Sequence, residues 1–141
     1  MNNSSTKKSH KRLLIVLSIA VITAGGVFMF SMLVKSQEER RNREYEVSLV
    51  NALKYSYQGI EEIKIMNPYY NDKPGSWSCD VEIKFIDEKT LKYGINHHLS
   101  YKTNYGGRQE TNEDWQYLET HKGKTLKSVK ITYSDYEQGE Q

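Results

Sequence analysis

The run LLIVLSIAVITAGGVFMFSMLV, Leu13 to Val34, contains 22 residues and no charge. About 20 predominantly apolar residues suffice to cross the hydrocarbon of a bilayer as a single helix, the one open-ended structure that satisfies its own backbone there. The run therefore predicts a transmembrane helix over 13–34, preceded by a basic tail at 1–12 and followed by everything else the chain can fold. A cleaved signal peptide is the competing reading, but its core spans only about 7–15 residues and ends in a small-x-small site. Here Ile22 occupies the position two before Ala24, and no cysteine comes soon after the run to receive a lipid. Orientation rests on Lys and Arg near the ends of the span. Lys7, Lys8, Lys11 and Arg12 precede it undiluted, whereas Lys35, Arg40, Arg41 and Arg43 are interleaved with Glu38, Glu39, Glu44 and Glu46. The N-terminus is expected to be cytoplasmic and the remainder extracytoplasmic.

Beyond the span the chain is long enough for one modest core and too short for two. The chain as a whole carries a formal charge of +2, but residues 35–141 hold 16 basic and 18 acidic groups. Phosphate backbones demand a basic face, so nucleic acid is not an expected partner. The single cysteine, Cys79, excludes an internal disulfide and a cysteine-rich metal cage.

Periodicity then sets the fold class. No Gly or Pro occurs between Ser36 and Tyr57, and Val47, Val50, Leu53 and Tyr57 recur at helical spacing, with Gly59 as the stop. The charged stretch 35–44 reads as a hydrophilic stalk. In SWSCDVEIKFID the odd positions Trp77, Cys79, Val81, Ile83 and Phe85 alternate with polar residues, the period of a half-buried strand. Leu91, Tyr93, Ile95, His97, Leu99 and Tyr101 repeat the pattern. Both runs can face one core only if the loop between them has an odd number of residues, and a loop at 87–89 would set Cys79 opposite His97. Weaker strands are expected at 60–66 and 126–133. Thr111, three residues before Asp114, predicts a short helix carrying Trp115 and Leu118. The expectation is an α+β domain over 45–135, one amphipathic helix on a four-stranded antiparallel meander, with a flexible tail at 136–141.

Chemical motifs are sparse. His97 and His98 are adjacent, and successive strand residues point to opposite faces, so the pair cannot share an ion. His97 is expected at the core edge with a hydrogen-bonded ring, and His98 on the surface. No nucleophile elbow, H-E-x-x-H or P-loop is present, and Gly106-Gly107 lacks the spacing and the lysine of a phosphate cradle. No catalytic residue, metal or cofactor is expected.

Tyrosine is abundant, 11 residues beside two tryptophans, and it suits surfaces that grip proteins, sugars or peptides because it presents apolar area with a polar tip. Tyr69, Tyr70 and Tyr105 lie in expected loops. A meander would gather them with Trp115 at one end, and a helix joined to the first strand through Gly59 would bring its own start, and the membrane, to that end. Basic tail, single span and small α+β domain together resemble the small membrane-anchored envelope proteins of low-GC Gram-positive bacteria, and the domain is similar to cystatin-like domains. The layout also resembles membrane-anchored immunity proteins that shield a cell from secreted toxins. That resemblance implies a protein-binding module, an immunity or regulatory factor, with an envelope or membrane protein as partner. The alternative is a domain that binds or hydrolyses a small ligand or cell-wall fragment in a pocket between helix and sheet.

Overall fold

A computed structural model describes residues 36–141; the span expected at 13–34 and the basic tail before it lie outside the described residues. Among the described residues no helix is long and apolar enough to cross a membrane. The elements are α1 (Gln37–Ser56), β1 (Ile60–Asn71), β2 (Ser76–Phe85), β3 (Thr90–His97), α2 (Asn112–Thr120), β4 (Lys130–Thr132) and β5 (Gln138–Glu140). The fold is α+β, with α1 on one face of a five-stranded mixed sheet of order β3-β2-β1-β4-β5.

Helix α1 starts at once. Ser36 caps it, its hydroxyl accepting from the Glu39 amide at 3.2 Å, and Glu38 and Glu39 complement the positive end of the helix. The stalk expected at 35–44 is therefore corrected over its described part: residues 37–44 form the first two turns of the helix, exposed through Arg40 and packed from Arg43. Arg43 is only 2 % exposed. It reaches Asp135 at 2.9 Å and Glu137 at 2.7 Å, and lies 3.9 Å over the Tyr133 ring. Those acidic partners stand 92 and 94 positions along the chain, so nothing local in the sequence separates this arginine from a solvated one. Further along, Leu49, Val50, Leu53 and Tyr57 are buried against the sheet, and Gly59 turns the chain at φ +75°, a conformation glycine adopts without steric cost.

The antiparallel unit β1-β2-β3 obeys its sequence pattern. Trp77, Cys79, Val81, Ile83 and Phe85 of β2 and Leu91, Tyr93, Ile95 and His97 of β3 are buried on the α1 side. The loop has an odd length, but Phe85 N–H bonds to Lys89 C=O, so it comprises Ile86–Glu88 rather than 87–89. Glu88 takes φ +71° and the Asp87 carboxylate accepts from the Lys89 amide, the chemistry of a three-residue hairpin loop. The register moves accordingly: His97 opposes Trp77, and Cys79 opposes Ile95. Strand β3 also ends sooner than its alternation suggests. Beyond His97 a turn closed by Tyr101 N–H to His98 C=O carries the chain off the sheet, leaving Leu99 41 % and Tyr101 51 % exposed.

The four-stranded meander is overturned by the last strands. β4 pairs with β1, not β3, and in parallel, Ile63 opposite Ile131. Residues 98–129 return the chain from the far end of β3, pair Arg108 with Gly94 along that edge, and form α2 before β4 begins. That leaves β1's free edge for β4, where Val129, Ile131 and Tyr133 enter the core. The flexible tail expected at 136–141 is likewise corrected. It forms β5 on β4, and buried Gln141 exchanges backbone bonds with Val129 and accepts from the Tyr133 hydroxyl at 2.7 Å. α2 begins where expected, with the Thr111 hydroxyl accepting from Asp114 N–H. The sheet face away from α1 is a charge ladder: Lys84, Glu62, Lys130 and Glu140 oppose one another in sequence across β2, β1, β4 and β5. Opposite charges face each other there, which makes an open sheet face compatible with water.

Candidate functional site: a groove beside the first helix

Register and contacts place the four aromatics expected as one patch at two opposite ends of the sheet. Tyr70 opposes Trp77, packs on Tyr45 and lies 4.0 Å under the Arg41 guanidinium, so it and Tyr69 sit beside the start of α1. Tyr105 meets the edge of Tyr57 at the other end of α1. Trp115 is on α2, which is tied to the β2–β3 turn by Tyr117 to Asp87 (2.8 Å) and Lys89 to Asp114 (3.4 Å). Strand β2 alone separates these ends by about 33 Å at 3.3 Å per residue. The patch of Tyr69, Tyr70, Tyr105 and Trp115 is therefore not assembled. A meander would have gathered them; the long return after β3 disperses them.

A different surface is concave. The turn after His97 lays residues 99–103 along α1, leaving a groove of about 810 Å³ between them. Val47, Tyr55, Leu99 and Tyr101 supply apolar area; Glu44, Ser48, Asn51, Lys102 and Lys124 supply polar groups. Its far wall is fastened by Asn104, whose amide N–H donates to Ser56 Oγ at 2.7 Å and whose side chain donates to Asn96 C=O at 2.8 Å. A second cavity of about 720 Å³ shares Tyr101 and Thr103 and continues under the glycine loop past Asn96, Gly106 and Arg108. Gly107 is required there: at φ +116° a Cβ would come within 2.5 Å of the Tyr93 ring.

His97 lies buried behind the groove, between the wall and the helix. It is 3 % exposed, with Ser48 Oγ at 2.9 Å from Nε2 and Asn104 Nδ2 at 3.1 Å from Nδ1. A serine, a histidine and an asparagine in this order invite comparison with a nucleophile, its base and the group that orients the base. The hydrogen bonds around the ring decide otherwise. Asn104 Oδ1 accepts from Gly106 N–H at 3.0 Å while Nδ2 donates to Asn96, so the amide nitrogen faces the ring and His97 Nδ1 must accept. The ring proton is then on Nε2 and is donated to Ser48. In this tautomer the ring cannot take the serine proton. Ser48 accepts from the ring, which leaves its own hydroxyl proton free for donation elsewhere. Burial, and after it the neighbouring His98, pushes the His97 pKa down from 6.5 to about 4, so the ring is neutral in near-neutral solution.

The expectation for the histidines thus holds in its essentials, His97 at the core edge with both ring nitrogens bonded and His98 exposed. Ser48, Lys102, Lys124 and the exposed face of Tyr101 were not legible in the sequence. Tyr101 reads as a buried strand residue until the turn at His98 is known, and what marks Ser48 is a contact 49 residues away. Among the described residues no group of three or more His, Cys, Asp or Glu side chains could hold a metal ion. No protein-family model matches the chain, and no curated protein or solved structure matches it significantly.

Proposed function

We propose that the chain is a membrane-anchored, extracytoplasmic protein-binding module without catalytic activity, held in the bilayer by residues 13–34 with its N-terminus cytoplasmic. In this reading it takes an extended segment of an envelope or membrane protein into the groove beside α1, as an immunity or regulatory factor would. The observation that carries the reading is the groove itself. Exposed Tyr55, Leu99 and Tyr101 offer apolar contact, and Ser48, Asn51, Lys102, Lys124 and Glu44 converge on it with donors and acceptors for a peptide backbone or side chain. The Nε2-protonated tautomer of His97 supports binding over catalysis, because it turns Ser48 into a hydrogen-bond donor instead of a nucleophile.

The test is site-specific crosslinking in membranes carrying the full chain. A photoreactive residue at Lys102, on the groove rim, should give one dominant protein adduct that Leu99→Asp abolishes. The same residue at Lys92, on the open face of the sheet, should give none. Adducts of equal yield at both positions, or an adduct at Lys102 indifferent to Leu99→Asp, would reject the groove as the binding surface. The second reading, a small-ligand or cell-wall-fragment site, draws on the adjoining cavity lined by Asn96, Gly106 and Arg108. An adduct to wall material in place of protein would select it.

A further inference from the structure

The groove beside α1 does not stop at Tyr55. Asn51, Tyr55 and Lys124 also line a smaller cavity of about 190 Å³ that carries it on to Leu126. At its other wall Tyr101 and Thr103 join it to the cavity under the glycine loop. The three make one concave surface, pinned to the last turn of α1 by two hydrogen bonds: Thr125 N–H donates to Lys54 C=O at 2.8 Å, and Asn104 N–H to Ser56 Oγ at 2.7 Å. Tyr55, Leu99, Tyr101 and Leu126 supply its apolar area, and all are exposed, Leu126 by 89 %. Charge is spread unevenly over it. Lys54, Lys102, Arg108 and Lys124 line the surface, whereas Glu44, at the helix-start end of the groove, is the single acid among its described lining residues. None of these four cations forms an ion pair with a carboxylate among the described residues. Lys124 lies 5.3 Å over the Tyr55 ring instead. Lys54 is partly buried, and that burial holds its ammonium below the usual lysine range with no carboxylate to offset it.

Unpaired cations beside exposed apolar side chains are complementary to a ligand that brings carboxylates and apolar groups together. We propose that the segment taken into the groove is acidic as well as apolar: an extended stretch of a partner protein whose Asp or Glu side chains meet these cations while its apolar side chains cover Leu99, Tyr101 and Leu126. The proposal rests on the reading of the groove as a peptide site. A phosphate polymer would satisfy the cations but leave the leucines and tyrosines in water, so it accounts for only half of the surface. Complementary charge at the rim also fixes register and rejects basic segments, which the apolar contacts alone would admit.

The experiment selects random heptapeptides displayed on phage against the full chain in lipid nanodiscs. Two variants run in parallel, the double substitution Lys102→Glu, Lys124→Glu and the single Leu99→Asp; all three residues are exposed, and circular dichroism checks that each chain stays folded. Peptides selected on the parent chain should be enriched in Asp and Glu beside Leu, Phe or Tyr, and should bind the double variant about tenfold or more weakly. The double variant should itself select Lys and Arg. Selection without a charge bias, lost in Leu99→Asp, overturns the acidic partner and leaves the groove standing. No selection on any chain, or selection indifferent to Leu99→Asp, overturns the groove reading and the proposal with it. Displacement of the selected peptides by linear polyphosphate at equal charge assigns the surface to a phosphate polymer and likewise overturns the acidic segment.

Discussion

His97 and Glu46 are both almost fully buried, and burial moves their titrations in ways that oppose each other. His97 is held at about 4 against 6.5 in the open chain, so between those values the unfolded state binds the extra proton and stability is lost as pH falls. The full effect is about 3 kcal/mol at 1.36 kcal/mol per unit. Glu46 is raised from 4.5 to about 6 by burial, only partly offset by Ser134 N–H and hydroxyl donors and by Arg43. Here the folded state binds the proton more tightly, so about 2 kcal/mol of stability is lost as pH rises through 4.5 to 6. Denaturant titrations from pH 4 to 7 should therefore show a shallow profile in the parent chain. Glu46→Gln should steepen the loss on acidification; His97→Gln should make stability decline with rising pH. Profiles of the same shape in all three would contradict both assignments. A charge placed on the two faces of β3 gives an independent check. His97→Glu should cost about 1–3 kcal/mol and His98→Glu close to nothing, because only the first strands a carboxylate among buried groups.

At the scale of elements, the structure reassigns the beginning of α1 and the end of the chain. Arg43 ties the second turn of the helix to the β4–β5 turn. Arg43→Ala should lower stability by about 2–4 kcal/mol, since it removes a buried guanidinium and leaves Asp135 and Glu137 without that partner. The neighbouring Arg40→Ala, on the exposed side, should shift stability by less than about 0.5 kcal/mol. Equal, negligible effects would restore the stalk. The β2–β3 loop offers a gain instead of a loss. Glu88 sits at φ +71° with its side chain exposed, so Glu88→Gly should stabilise by about 0.5–1 kcal/mol through relief of left-handed strain. A lower denaturation midpoint at an unchanged slope would show that Glu88 is not strained.

For the whole molecule, the sheet is closed by its last residues. Gln141 bonds to Val129 through the backbone, to Tyr133, and through its amide to Val47 C=O and Asn51 on α1. Deleting 138–141 should leave β4 as a three-residue edge strand without its partner and abolish cooperative unfolding, measured by circular dichroism on heating. A chain that still melts sharply would return 136–141 to the status of a tail. The groove runs along the helix from Glu44 to Tyr55 and Lys124. From Glu44 to Tyr55 that is about 17 Å at 1.5 Å per residue, room for an extended segment of about five residues.

Local patterns were enough for the parts of this protein whose causes are local. Val50, Leu53 and Tyr57 marked the buried helix face, the odd positions from Trp77 to His97 marked the buried strand face, and Thr111 marked the start of α2. Each depends on spacing along the chain, on the pleat, or on a cap three residues away. The odd loop length was legible for the same reason, whereas its position was not, because the choice between 86–88 and 87–89 lay in the left-handed conformation of Glu88. Only the tertiary structure decided that β4 lies parallel to β1, that Arg43 and Gln141 are buried, that the four aromatics part company, and that Ser48, His97 and Asn104 meet beneath a groove. Most of those outcomes are contacts between residues tens of positions apart. A free edge and a buried charge find their partners in space, and sequence spacing carries no record of either.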